Sequence, residues 1–132
     1  MPASLNIPAA RNVPFANPIY LYYSGAALPL TGASIKMQIR LYPGAPGAAL
    51  ATVAAIPHTD AAAPTGADAE RRLLTLFPTI AEATLAALTS GLEEPEPGDA
   101  DRYSYDIVVT YADAAEDTLA EGYFLLKPGV TL

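Results

Sequence analysis

Apolar and polar residues alternate along much of the chain with the two-residue period of a half-buried strand. The clearest run is 34–42. There Ile35, Met37, Ile39 and Leu41 alternate with Lys36, Gln38, Arg40 and Tyr42, ahead of the turn signal Pro43-Gly44. Residues 102–112 set Tyr103, Tyr105, Ile107, Val109 and Tyr111 against Ser104, Asp106, Val108 and Thr110. A polar turn over 113–117 leads to a return strand at 118–127, which predicts a hairpin with a loop longer than two residues. Shorter runs predict strands at 19–24, 50–56 and 71–77. On 19–24 both faces are apolar or aromatic, with Ile19, Leu21 and Tyr23 on one and Tyr20 and Tyr22 on the other. That fits a strand buried on both sides, or one whose second face another chain covers. The alternation predicts that Ile35, Met37, Ile39, Ile107 and Val109 face the core.

One segment has helical spacing. Thr79 and Glu82 stand three apart, as in a capping box, Leu85, Leu88 and Leu92 form a stripe, and Gly91 is placed to stop the helix. The expected helix covers 80–90. Residues 57–70 and 93–101 read as loops, the second acidic. At the start, Pro2, Pro8, Pro14 and Pro18 prevent a helix over 1–18 and favour an extended arm. Leu5, Ile7, Val13 and Phe15 give that arm apolar anchors that a solvated tail would not need. It lies either on its own domain or on a neighbour. The expected organisation is an extended N-terminal arm over 1–18 and a single β-sandwich domain over 19–132. The class is mainly β, an antiparallel sandwich with one short helix.

Composition narrows the chemistry. With 132 residues and 13.7 kDa the chain suits one domain. It has no cysteine, so disulfides, thiolate metal sites and cysteine nucleophiles are excluded. Fourteen acidic and seven basic residues give a net charge of −7. This argues against nucleic acid and against an anionic membrane surface as partners. No apolar run approaches the ~20 residues of a membrane span, and no secretory signal is visible, which points to synthesis in a cytoplasm.

The catalytic inventory is thin. His58, the single histidine, reads as a solvated loop residue, although Asp60 stands two positions away. The acidic run Glu93, Glu94, Glu96, Asp99 and Asp101 and the cluster Asp113, Glu116 and Asp117 lack the EF-hand spacing and read as solvated loops. No enzyme activity, cofactor or metal is expected. The eight tyrosines lie on or beside predicted strands, where they serve as core or as a wet interface. Candidate interface residues are Leu5, Ile7, Val13 and Phe15 on the arm, with Tyr20 and Tyr22 on the first strand.

Several segments together resemble one family. Leu28-Pro29-Leu30-Thr31-Gly32-Ala33-Ser34, running into Ile35 to Arg40, is similar to a stretch of small tail-associated proteins of tailed phages and of the N-terminal domain of phage baseplate upper proteins. Tyr103-Ser104-Tyr105-Asp106, Glu121-Gly122-Tyr123-Phe124 with Val130-Thr131, and the opening Leu5-Asn6-Ile7-Pro8 with Arg11-Asn12 resemble the same pattern. The chain departs from it at Leu30, in the 57–70 loop and in the acidic 93–101 insertion. The resemblance implies an immunoglobulin-like β-sandwich and a virion structural protein. Such a protein is a tail or baseplate adaptor present in many copies, binding other virion proteins such as fibres or receptor-binding proteins. Two alternatives stand beside it. One is a head decoration or neck protein; the other is a free carbohydrate- or calcium-binding sandwich module, which the absence of tryptophan disfavours.

Overall fold

Apolar side chains that recur every second residue can be buried together only if the chain is extended and paired, and this produces nine strands among the described residues of the computed structural model. The structure describes residues 3–24, 26–62, 71–88 and 99–129. The strands are β1 (Ala3–Ser4), β2 (Ile7–Ala10), β3 (Ile19–Ser24), β4 (Ser34–Arg40), β5 (Ala51–Val53), β6 (His58–Ala62), β7 (Arg71–Leu76), β8 (Asp101–Thr110) and β9 (Glu116–Lys127). Among the described residues one helix, α1 (Glu82–Ala87), precedes β8. The larger sheet runs β1-β9-β8-β4-β5, with β2 also on β9; the smaller runs β3-β7-β6. Every pairing is antiparallel except those of β1 and β2, which lie parallel to β9.

Both sheets turn their apolar positions into one cluster. Ile35, Met37 and Ile39 from β4 and Ile107 and Val109 from β8 are each at most 1 % exposed, as the alternation predicts. Leu21 from β3 and Leu74 and Leu76 from β7 join them from the smaller sheet. Removing this apolar surface from water, at about 25 cal/mol per Å², is the main force holding the layers together. The Leu28 to Arg40 segment enters β4 through a turn at Thr31-Gly32. Gly32 has φ +76°, a conformation that a residue with a Cβ rarely adopts.

Several elements differ from expectation. Residues 3–10 are extended and turn at Arg11-Asn12, and residues 3–15 are not separate from the domain. Ile7 pairs with Phe124 and is 6 % exposed, and Phe15 is 4 % exposed with its ring edge-on to Phe124 at 5.7 Å. Phe15 and Ile80 exchange both backbone hydrogen bonds at 2.9 Å. The boundary expected at 18/19 therefore falls inside one folded unit. The prolines forbid helix without forbidding an outer strand, and Pro8 sits in β2 at the edge of the sheet.

Strand β6 occupies part of the segment read as a 57–70 loop, and 63–70 lie outside the described residues. Its sequence, His-Thr-Asp-Ala-Ala, lacks strand-forming bulk, and its pairing with β7 supplies what propensity does not. Helix α1 starts later than expected. Ala81 is its N-cap, without a side-chain hydrogen bond, so Thr79 does not cap it. The helix also ends sooner than expected, at Ala87, because Leu88 is extended and caps it; Ser90-Gly91, the acidic residues 93–98 and Val130-Thr131 lie outside the described residues. Strand β3 is one-sided: Ile19 and Leu21 are buried while Tyr20 and Tyr22 are 58 % and 43 % exposed.

Candidate interaction surface

The N-terminal segment is fastened to the last two strands at four points, and each uses a residue type suited to the contact. Arg11 follows β2, with its guanidinium half-buried. One nitrogen donates to the carbonyls of Leu85 and Leu88 at 3.0 and 2.9 Å; the other donates to Asp101 Oδ2 at 2.8 Å and to Tyr103 Oη at 2.9 Å. A cation at the end of a six-residue helix suits the carbonyls exposed there, and the Leu85 carbonyl accepts from the Leu88 amide at 3.3 Å as well. Burial pushes the Tyr103 hydroxyl above its ordinary range. The Tyr105 hydroxyl donates to the Leu5 carbonyl at 2.8 Å; burial, and then the charge of Glu121, push it up to about 12. Gly122 lies against the Leu5 backbone, where a Cβ would overlap the carbonyl oxygen. Asn6 Oδ1 accepts from the Tyr123 amide at 3.3 Å. Leu5, Asn6, Arg11, Tyr103, Tyr105 and Gly122, which carry much of the resemblance noted in the sequence, are thus the residues that lock the first strands to the last.

The six candidate interface residues divide. Ile7 and Phe15 are in the domain's own core, and Leu5 is half-buried against it. They do not provide an anchor for a neighbour, which corrects the expectation for these three. Val13, Tyr20 and Tyr22 remain exposed. Strand β3 is also an edge of the smaller sheet, paired only with β7. Tyr20 and Tyr22 therefore project from the outer face of a strand whose other backbone side has no partner strand among the described residues.

A second feature lies on the outer face of the larger sheet. A groove of about 550 Å³ crosses β1, β9, β8 and β4 and is lined by Tyr42, Tyr123, Gln38, Ser104, Asp106 and Glu121 among others. Sequence alternation places Gln38, Ser104 and Asp106 outward, but it does not reveal that the strand order brings them beside Glu121 and two tyrosines. Arg40, which also lines the groove, donates to the carbonyls of Ala45 and Gly47 at 3.0 and 2.7 Å, holding the 42–47 loop as one wall, and to Gln38 Oε1 at 3.3 Å. Arg102 lies over the Tyr123 ring at 4.7 Å.

The remaining chemical candidates have structural partners. His58 is half-buried on β6, with Nδ1 3.1 Å from the Ile56 carbonyl. Asp60 accepts from the Tyr23 hydroxyl at 2.7 Å and pairs with Arg72 at 3.3 Å, tying β3, β7 and β6 together. Asp101 is taken up by Arg11. Among the described residues no group of three or more acidic or histidine side chains is placed to hold a metal ion, and no helix is long and apolar enough to cross a membrane. No protein-family model matches the chain, and a search of the curated proteins finds no relative.

Proposed function

We propose that this protein is a structural component of a phage virion, a tail or baseplate adaptor that joins other virion proteins. The observation that carries the reading is the pairing of a sheet edge, unpaired among the described residues, with large exposed aromatics on β3. Edge strands present unsatisfied N–H and C=O groups and normally carry charges, prolines or a cover to prevent pairing. Strand β3 instead carries Tyr20 and Tyr22 on its outer face. Tyrosine beside an open edge suits strand addition by a neighbour, with main-chain hydrogen bonds for affinity and aromatic contacts for specificity.

The finer fold reading, an immunoglobulin-like sandwich, rests on strand order. β3-β7-β6 corresponds to the B-E-D order and β9-β8-β4 to G-F-C, with β5 as an added strand beside C. The resemblance to tail-associated proteins agrees with both readings. Since sandwiches host many functions, the assignment to virions depends on a location experiment. Electron microscopy of purified particles carrying a labelled copy of the chain is expected to place the label on the tail or its baseplate. A label on the head, or none on particles, would overturn the reading in favour of a decoration protein or a free module.

A further inference from the structure

We propose that the outer edge of β3, which has no partner strand among the described residues, pairs with the same edge of a second copy of this chain, antiparallel and about a two-fold axis at Leu21. This rests on the strand-addition reading above and names the neighbour. Tyr20 stands in register with Thr75 and Thr59, and Tyr22 with Leu73 and Ala61, so two rows cross the outer face of the smaller sheet. Phe77, just past β7, is 41 % exposed, and its amide donates to the Pro57 carbonyl at 2.9 Å, which carries the ladder one step further. None of these residues is charged. The outer face of the larger sheet is different: Lys36, Arg102, Asp106 and Glu121 are all exposed there. Contiguous exposed apolar surface on a folded chain marks a contact site.

Charge and symmetry select the occupant. A basic or an acidic partner finds nothing to pair with in these rows. Two copies of a chain of net charge −7 repel each other over most of their surface. This edge brings no charge to the junction, because Ile19–Ser24 is uncharged throughout. The strand is also close to symmetric about Leu21. A two-fold axis there sets Tyr20 opposite Tyr22 of the other copy, twice, and Ile19 opposite Tyr23. Opposite residues of an antiparallel pair share a face. Ile19, Leu21 and Tyr23 therefore stay inward, and four tyrosines form two cross-strand pairs on the outside. Aromatic pairs across strands are favourable. Axes at Tyr20 or Tyr22 instead leave one tyrosine of each copy opposite Pro18 or Ser24. A contact of one strand is small for a permanent dimer, so association depends on concentration.

Two measurements on the full chain test this, and neither involves particles. Sedimentation equilibrium is expected to show a mass rising from 13.7 kDa toward twice that value between about 1 μM and about 1 mM. Tyr20→Arg/Tyr22→Arg should stay monomeric and melt within a few degrees of the parent. The register is read by crosslinking, which the absence of cysteine makes clean. Tyr20→Cys chains and Tyr22→Cys chains, each changed at an exposed position, are mixed and oxidised. Directly opposite residues hold their Cβ atoms about 5 Å apart and diagonal ones about 7–8 Å, while a disulfide needs about 4 Å. The mixed disulfide should therefore exceed the two homodimers together, which is its share in random collision. A monomer at every concentration, or crosslinks in random proportion, would overturn the proposal. Loss of Tyr20→Arg/Tyr22→Arg from particles by a chain that never dimerises would assign the edge to another virion protein instead. Failure of the dimer leaves the adaptor reading standing, whereas absence of the chain from virions removes that reading and not the dimer.

Discussion

Four hydrogen bonds converge on the Arg11 guanidinium, and no other residue type could make them from this position. Lysine would keep the charge but could not reach two helix carbonyls, a carboxylate and a phenol in one planar arrangement. Arg11→Ala would remove the ion pair with Asp101, whose side chain is 16 % exposed, and the clip on the end of α1. The expected cost is about 2–4 kcal/mol in urea unfolding, with Arg11→Lys recovering only part of it. Tyr105 gives a pH signature. Its folded value of about 12 lies above the ordinary phenol value, so the folded state holds the proton more tightly. The stability this contributes is complete below about pH 10 and is lost as the pH rises through about 12. Melting temperature should fall over that window. Tyr105→Phe should flatten part of the fall while lowering stability at neutral pH through loss of the Leu5 hydrogen bond. Tyr103 and Tyr111, also raised by burial, account for part of the remaining dependence. A fall just as steep in Tyr105→Phe would contradict the assignment.

At the scale of elements, the strands with strong alternation were legible in the sequence. β4, β8, β9 and β7 fall within about two residues of their expected limits, and the residues of β4 and β8 expected to face the core are buried. What could not be read was everything fixed by partners rather than by local pattern. Strand β6 is a strand because β7 offers it a ladder. β1 and β2 are strands because β9 does, and four prolines nearby hide them. The six residues of α1 are too few to hold a helix alone, and burial of Leu85 and Leu88 with the Arg11 clip holds it in place of the expected Thr79 cap. The groove had no signal in any single segment, because it exists only once β4, β8 and β9 are adjacent. The N-terminal strands yield a prediction that decides between the two places the sequence left open for the arm, its own domain or a neighbour. A chain beginning at Ile19 loses Ile7 and Phe15 from the core, at about 2–5 kcal/mol for each such side chain, together with the Arg11 network. Against a total stability of about 5–15 kcal/mol, this truncated chain should be largely unfolded by circular dichroism at 25 °C. A melting temperature close to that of the full chain would show that the arm is peripheral after all.

For the whole molecule, the division is between a sealed interior and two presented surfaces. The core unites both sheets, and the first strands are locked to the last by contacts that leave little freedom for the N-terminal segment to leave its own domain. In the proposed adaptor role, contact with neighbours would use what remains outside: the β3 edge with Tyr20 and Tyr22, and the groove on the opposite sheet. Two such surfaces on opposite faces suit a chain placed between neighbours. The most direct measurement is the amount of this chain that copurifies with intact particles, for the natural sequence and for Tyr20→Arg/Tyr22→Arg, a variant changed on the exposed side of β3. The account predicts that the natural chain is present in fixed proportion to the tail proteins. The variant should melt within a few degrees of it in isolation and yet be lost from particles by about tenfold or more. Absence of the natural chain from particles, or incorporation of the variant at the natural level, would contradict it.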